Sequence, residues 1–319
     1  MHRLSGMIES PLPTLDGTAE PACVALFAYM RPDHLRRTVE SLLANPEAAR
    51  TRLHLFCDAP KRPEHAPGVE EVRRYVDMIS GFASILVTRR VANYGLARSI
   101  IDGVSSVLAT NDRVIVLEDD LQLSPHFLRF MNDGLACYCN DEIVASIHGY
   151  SYPTRDALPE TFFLRGADCW GWATWRRAWT HYRPDGAALL AELQARKLER
   201  EFDMDGSYPY VQMLRDQIAG RNDSWAVRWH ASAFLDNMLT LYPGSSLVHN
   251  IGNDATGTHS GTTHTFVQKP SMRPVRVDRL PLAPSVEAQD AFVRFWRRRA
   301  GGPIRRIFRA FRHRIAAAA

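Results

Sequence analysis

The sequence predicts an α/β protein in which helices flank a mostly parallel sheet and a cationic amphipathic helix follows at the C-terminus. From residue 22 onward, short apolar runs alternate with stretches of helical periodicity, which is the pattern of βα units. Of the 319 residues, 45% are hydrophobic and 23% are charged, as in ordinary globular proteins. No apolar run reaches the roughly 18 residues of a membrane-spanning helix. These observations favour one large α/β domain.

The first half of this domain, residues 22–150, contains five strand-like runs. Helical patterns follow the first four, and Pro32 suits the first turn of the helix after the first run. Ser124 and Pro125 provide an N-cap and a first-turn proline after the fourth run. The runs are 22–29, 53–57, 84–88, 114–117 and 143–147.

The second half, residues 151–285, is less regular and rich in tryptophan. It contains the block Asp168–Trp175, the segment Asn222–Trp225, a strand-like run at 239–242 and a polar, glycine-rich stretch at 250–261. No linker-like segment separates the halves, so we expect them to share one sheet. Residues 1–21 indicate a flexible leader, and residues 286–319 a basic amphipathic tail.

The net charge of +4 hides an uneven distribution. Residues 291–319 contain nine Arg and no acidic residue, which leaves the first 290 residues at −5. A mildly acidic body argues against nucleic-acid binding. Five Cys, an odd number without a CxxC pair, predict a reduced, intracellular protein. The expected location is cytoplasmic, and the basic C-terminal tail suggests peripheral attachment to the inner face of the cytoplasmic membrane.

Polar residues end each of the first four predicted strands, and in open parallel sheets ligands gather at the carboxyl ends of strands. These residues are Arg31, Asp58, Asn93 and the triplet Glu118-Asp119-Asp120. Three adjacent carboxylates repel one another, and a hard divalent cation, Mn²⁺ or Mg²⁺, would compensate them and could bridge them to a diphosphate. The alternative is a solvated acidic turn without a ligand.

Several other phosphate chemistries are not supported. The first strand does not end in the Asp of an aspartyl-phosphate phosphatase, and Pro32-Asp33-His34 is not the glycine-rich basic loop of a sugar-phosphate nucleotidyltransferase. Neither a P-loop nor a GxGxxG motif occurs.

Four segments together resemble bacterial family 2-type glycosyltransferases of the GT-A fold. They are Phe27–Pro32, Asn93–Leu96, Glu118–Asp120 and Trp170–Trp175, and the resemblance extends over about residues 22–262. Glu-Asp-Asp is also similar to the triplet of the eukaryotic N-acetylglucosaminyltransferase that starts complex N-glycans. The resemblance implies a GT-A-like, Rossmann-type sheet that binds a nucleotide-diphosphate sugar donor together with Mn²⁺ or Mg²⁺. It also implies transfer of a hexosyl or N-acetylhexosaminyl group to a glycan or glycolipid acceptor. Such a reaction would belong to the assembly of cell-surface polysaccharide or glycolipid.

The resemblance also implies roles for the strand-end residues. Donor contacts would come from Arg31, Asp58, Asn93, Glu118 and Asp119, with Asp120 as the direct metal ligand. Because this chain has Glu-Asp-Asp where the family has Asp-x-Asp, the acid that touches the metal stays open. Structural alternatives are a local cap or ion pair for Arg31 and turn formation for Asp58 and Asn93.

Further candidates lie in the second half. The donor–acceptor cleft would be lined by Asp168, Trp170, Gly171 and Trp172. The alternative for this tryptophan segment is an aromatic cluster in the core. Trp175 and Trp179 are expected in the core. By the resemblance Asp223 is the general base, with a helix N-cap as its alternative and Asp216, Asp236 and Asp254 as fallbacks. His259 would complete the metal site, with His249 or His264 as alternatives, in a loop suited to close over the donor.

In the C-terminal tail, Arg alternates with Phe292, Phe295 and Trp296, and apolar positions 304, 307, 308 and 311 share a helical face. This pattern predicts an interfacial helix on anionic membrane. The overall expectation is an inverting, metal-dependent glycosyltransferase. A retaining transferase or nucleotide-sugar hydrolase of the same fold, and a non-enzymatic carbohydrate- or membrane-binding module, are the alternatives.

Overall fold

The computed structural model describes residues 20–252 and 265–299. The strands are β1 (Cys23–Ala28), β2 (Arg52–Cys57), β3 (Ser84–Arg89), β4 (Arg113–Glu118), β5 (Leu121–Leu123), β6 (Val144–His148), β7 (Thr161–Arg165), β8 (Trp172–Trp175), β9 (Leu239–Pro243) and β10 (Val248–Asn250). The helices are α1 (Pro32–Leu43), α2 (Ala66–Met78), α3 (Gly95–Thr110), α4 (Phe127–Cys137), α5 (Arg176–Trp179), α6 (Gly186–Ala195), α7 (Glu199–Phe202), α8 (Tyr210–Ile218), α9 (Trp225–Leu235) and α10 (Val286–Arg299).

Eight strands form one mostly parallel sheet in the order β3-β2-β1-β4-β8-β6-β9-β7. The expected α/β fold with flanking helices is confirmed. The strand-like runs of the first half correspond to β1, β2, β3, β4 and β6, and all six residues of β1 are buried. Such continuous apolar runs are typical of parallel strands buried on both faces.

The connection between β1 and β4 determines where a ligand can bind. From β1 the chain moves outward through β2 and β3, and it then returns to add β4 on the other side of β1. This reversal leaves a crevice at the carboxyl ends of β1 and β4, which is a topological switch point. Arg31 follows one of these strands, and the Glu118–Asp120 triplet ends the other.

The second half extends the same sheet. β8 runs antiparallel between β4 and β6, β6 pairs in parallel with β9, and β7 pairs antiparallel with β9 at the edge. The short β5 and β10 form a separate antiparallel pair, and the Ile251 N–H donates to the Asp120 carbonyl at 2.8 Å. This pair holds the chain that follows β10 against the acidic triplet.

The described part of the tail packs against the protein body. In α10, Phe292, Phe295 and Trp296 are buried, and the Phe292 ring lies 4.9 Å from that of Tyr152. The expectation that these three aromatic residues form a membrane-facing surface is therefore wrong, because all three rings pack against Tyr152, with centroids 4.9 to 5.5 Å apart. Positions 304, 307, 308 and 311 lie outside the described residues. Among the described helices, none combines the length and the apolar character needed to cross a membrane.

Candidate active site

The switch point opens into a cavity of about 680 Å³. Its polar end is formed by residues that follow β1 and end β4, namely Arg31, Glu118, Asp119 and Asp120. Asp58 and Asn93 line a neighbouring wall, and Asp168, Trp170 and Asp223 line the wall that the second half of the chain provides. The structure thus brings together candidates that are up to 192 positions apart in the sequence, from Arg31 to Asp223.

At the polar end, one guanidinium nitrogen of Arg31 joins two carboxylates. Arg31 Nη2 lies 2.5 Å from Asp119 Oδ1 and 2.8 Å from Asp120 Oδ2. The Tyr29 N–H also donates to Asp119 Oδ2 at 3.3 Å. The second nitrogen, Arg31 Nη1, is buried and has no hydrogen-bond partner among the described residues, so it is available to an oxygen of a bound anion.

Glu118 adds a third acid to this end. Burial raises the pKa of the Glu118 carboxyl to about 8, with further increases from the charges of Asp120 and Asp119 and an opposing effect of Arg31. One guanidinium cannot neutralise three ionised carboxylates at this distance, so the triplet favours uptake of a proton or of a further cation. Additional positive charge would favour the ionised form of Glu118.

Asp58 is engaged by the protein itself. Its carboxylate accepts hydrogen bonds from the Tyr94 N–H at 2.9 Å, the Gly95 N–H at 2.9 Å and Asn93 Nδ2 at 3.0 Å. Asp58 therefore holds the start of α3, where backbone N–H groups lack helical partners. Asn93 also donates to the Ala59 carbonyl at 2.7 Å. The turn-forming alternative considered for Asp58 and Asn93 thus has direct structural support, and both side chains still line the cavity.

The two tryptophans on either side of Gly171 lie in different environments. The prediction that both line the cleft is therefore only partly right. Trp170 lines the cavity, whereas Trp172 is fully buried with its ring 5.4 Å from that of Trp225. Trp172 begins β8, which is paired on both sides, so its side chain lies in the core between sheet and helices. Gly171 has φ +66, and a Cβ there would lie 2.9 Å from Val248 Cγ2. The backbone conformation and the close approach of Val248 therefore require glycine at this position, and Gly171 does not line the cavity.

Trp175 and Trp179 are buried, as the sequence predicts for core residues. Trp179 packs against Trp229, with ring centroids 5.2 Å apart. These rings support α9 and thereby the segment that carries Asp223.

Asp168 lines the same cavity. Its Oδ1 accepts the Cys169 N–H at 2.9 Å and lies 4.0 Å from His148 Nε2. His148 Nε2 accepts the Trp170 N–H at 3.1 Å, so the ring proton must be on Nδ1 and the imidazole is neutral. Burial lowers the pKa of His148, in agreement with this assignment.

Asp223 lines the cavity directly before α9. The N-cap of that helix is Ser224, whose Oγ accepts the Val227 N–H at 3.2 Å, so Asp223 is not the capping residue. The Asp223 side chain is 68% exposed and accepts a hydrogen bond from Arg228 at 3.3 Å. The fallback acids Asp216 and Asp236 pair with Arg221 and His181 and do not line the cavity.

Asp120 is the described residue whose chemistry fits the predicted metal site. Within residues 20–252 and 265–299, no three His, Cys, Asp or Glu side chains are arranged to hold a metal ion. Mg²⁺ and ions like it are commonly held by one or two carboxylates together with substrate phosphates, so Asp120 alone fits the donor chemistry of such a shared site. A Cβ at Gly252 would lie 2.0 Å from Asp120 Oδ2, so the backbone at Gly252 lies directly against this carboxylate.

His259, His264 and Asp254 lie outside the described residues. His249 is in β10 opposite Gln122, and it does not line the cavity. Its proposed role as a metal ligand therefore receives no support from its position.

Several cavity residues were not identified from the sequence. They are Tyr152, Tyr208, Tyr210, His230, Phe266 and Trp296. No motif marks them, and Trp296 belongs to a helix that the sequence pattern assigned to a membrane surface. The one local sequence feature that could have indicated a cavity wall here is the pair Tyr208 and Tyr210 on either side of Pro209. Two aromatic residues beside a proline in a polar segment are unusual for a solvated loop.

Comparison with solved structures gives distant likenesses, one of them to a mannosyltransferase. Among solved structures, the chain is similar to the mannosyltransferase PcManGT from Pyrobaculum calidifontis in complex with GDP-Man and Mn²⁺, with a TM-score of 0.33 and 12% sequence identity. The match covers 47% of this chain and 41% of the mannosyltransferase. No protein-family model and no curated protein matches the chain. A likeness at this level does not assign a function.

Proposed function

We propose that this protein is a glycosyltransferase that moves a sugar from a nucleotide-diphosphate donor to an acceptor hydroxyl. The observation that carries the proposal is the combination of two kinds of groups in one cavity. A guanidinium with an unpartnered nitrogen and three acids line it together with Asp168, Asp223 and aromatic rings. Such a combination suits a donor with a charged leaving group and an acceptor that contacts polar and aromatic side chains.

The diphosphate would bind at the polar end. Arg31 Nη1 would donate to a phosphate oxygen while Nη2 keeps its bonds to Asp119 and Asp120, so binding would not require the existing ion pairs to break. Asp120 would hold Mn²⁺ or Mg²⁺ together with the phosphates, and His259 is a second candidate ligand. When bound, the ion would supply positive charge that stabilises the departing diphosphate.

Asp223 would act as the general base of an inverting reaction. The acceptor oxygen would attack the anomeric carbon, the bond from that carbon to the diphosphate oxygen would break, and Asp223 would take the hydroxyl proton. Ser224 caps α9, and this arrangement leaves the Asp223 carboxylate directed to solvent and cavity. Its carboxylate accepts a hydrogen bond from Arg228 at 3.3 Å, which helps to orient it.

A matched pair of aspartates tests this role. The variants Asp223→Asn and Asp216→Asn are assayed with UDP-, GDP- and TDP-sugars, Mn²⁺ and a panel of saccharide acceptors, with NMR detection of the product and its anomeric configuration. Removing a general base costs about 10²- to 10⁴-fold in rate, so Asp223→Asn should lose kcat with little change in the donor KM. Asp216 lies outside the cavity, and its variant should retain wild-type turnover. Equal rates in the two variants would contradict the assignment, and a retained anomeric configuration would contradict inversion.

A further inference from the structure

Six aromatic rings that line the cavity contact one another, and we call this set the aromatic box. Consecutive ring centroids are 4.3 to 5.8 Å apart along the chain of contacts Trp170, Phe266, Trp296, Tyr208, Tyr210 and His230. Neighbouring planes are inclined by 31° to 83°, so these rings do not form one flat platform. A neutral sugar needs one flat face for stacking, whereas a compact cation is attracted by several ring faces at once.

Asp168 is the acid of the aromatic box. The pKa of Tyr208 is raised to about 12, first by burial and next by the Asp168 charge, and Asp168 Oδ2 lies 3.5 Å from Tyr152 Oη. The Asp168 side chain is 19% exposed. A carboxylate in such surroundings has lost much of its water, so an opposite charge would stabilise it strongly.

Most other acids of the cavity have a cationic partner within the protein, and Asp58, which has none among the described residues, instead accepts the N–H groups of Tyr94 and Gly95 at the start of α3. Arg31 pairs with both Asp119 and Asp120, and Arg228 pairs with Asp223.

Asp168 differs from them. Among residues 20–252 and 265–299, it has no Lys or Arg within ion-pair distance, and its nearest basic group is His148 at 4.0 Å. Because His148 Nε2 already accepts the Trp170 N–H, that ring cannot offer Asp168 a proton from this atom. Within this part of the chain, nothing supplies the positive charge that Asp168 lacks, and a bound ligand can.

A second unsatisfied group lies in the same wall. Trp296 is 93% buried, since its exposed fraction is 7%, and its Nε1 has no hydrogen-bond partner within the described ranges. A buried indole N–H without an acceptor costs free energy, and an oxygen of a ligand in the box would satisfy it. The box thus presents one carboxylate for a cation and one donor for a nearby oxygen.

We propose that the aromatic box binds a protonated amine with an adjacent hydroxyl, and that the acceptor of sugar transfer belongs to the amino sugars or related amino alcohols. The assignment of this amine to the acceptor rests on the proposed function, whereas the amine site itself does not. The ammonium group pairs with Asp168 between the ring faces, and the neighbouring oxygen accepts the Trp296 N–H.

The test compares D-glucosamine with D-glucose, which differ in one amino group, by isothermal titration of the full chain without nucleotide. Glucosamine should bind at least roughly tenfold more tightly than glucose, because a desolvated cation in an aromatic site gains about a factor of ten or more. The variant Asp168→Asn keeps the side-chain shape and should bind both sugars equally. The control Asp77→Asn, on the exposed face of α2, should keep the wild-type preference.

Equal affinity of the wild type for both sugars would overturn the inference, as would absence of saturable glucosamine binding or a preference that survives in Asp168→Asn. The comparison of two sugars on the wild type needs no variant to fold. Nucleotide-sugar binding is measured separately. A protein that binds donor but not glucosamine therefore contradicts only this inference, and one that binds glucosamine but no donor contradicts only the proposed function.

Discussion

Arg31 and Asp120 meet across the switch point of the sheet, with Arg31 Nη2 2.8 Å from Asp120 Oδ2. Arg31 follows β1 and Asp120 follows β4, so this ion pair joins the ends of two adjacent parallel strands. Both side chains are largely buried, at 18% and 13% exposure. The pair therefore contributes to the shape of the cavity as well as to its charge.

The first prediction concerns the stability that Arg31 provides. Arg31→Met removes the partner of the buried Asp119 carboxylate, and breaking a buried pair in this way costs about 3 kcal/mol or more. Arg31→Lys should recover part of this loss, because it keeps the charge but cannot reach both carboxylates and the cavity at once. Urea unfolding at pH 7 measures the difference. A loss below about 1 kcal/mol in Arg31→Met would mean that Asp119 is not dependent on Arg31.

The second prediction separates Trp170 from Trp172. Trp172→Ala removes a fully buried ring and should lower the free energy of unfolding by about 3 to 5 kcal/mol. Trp170→Ala should cost far less stability, since the residue is only partly buried, but should weaken carbohydrate binding. Urea unfolding and sugar titration of both variants check this contrast. The reverse order of stabilities would contradict the division of the block at Gly171.

The third prediction concerns the loop before α3. Asp58→Ala leaves the N–H groups of Tyr94 and Gly95 without their acceptor and should destabilise the protein by about 2 kcal/mol. Asp77→Ala removes an exposed ion pair with Arg89 and should change stability by less than about 1 kcal/mol. Urea unfolding of the two variants measures both changes. Equal effects would show that Asp58 does not hold this loop.

The fourth prediction is a pH dependence of stability. Burial lowers the pKa of both His148 and His230 in the folded protein from the ordinary value of 6.5. Above pH 6.5 both states are neutral and the free energy of unfolding is flat with respect to these groups. Below pH 6.5 the unfolded chain binds protons that the folded protein excludes, so stability falls by up to about 1.4 kcal/mol per pH unit for each histidine.

His148→Gln isolates one of these contributions. Glutamine can accept the Trp170 N–H but does not titrate, so the variant should lose less stability than the wild type as the pH falls below 6.5. Chemical denaturation at a series of pH values measures both slopes. Parallel slopes for wild type and variant would exclude His148 as a source of the pH dependence.

The first half of the fold was accessible from the sequence because its signals are local. Each strand from β1 to β4 is a short apolar run, and the polar residues that end these runs meet at one sheet edge by geometry alone. The proximity of Arg31 and Asp120 therefore follows from the sequence pattern together with the topology of parallel sheets.

The second half could not be predicted in the same way because its structure depends on non-local contacts. Trp170 and Trp172 have the same residue type and flank one glycine, but pairing of β8 on both sides sends one ring into the core. Trp296 belongs to a helix whose aromatic and basic pattern equally suits a membrane surface. Only its packing against Tyr208, with ring centroids 4.3 Å apart, shows that it completes the cavity.

The most direct test of the account is calorimetric titration of the wild type and of Asp120→Asn with UDP-, GDP- and TDP-sugars in the presence of Mn²⁺. At least one nucleotide sugar should bind saturably to the wild type, and Asp120→Asn should weaken that binding at least roughly tenfold while its melting temperature stays near the wild-type value. Binding of none of these donors, or equal affinity in both proteins, would contradict a donor site at the polar end of the cavity.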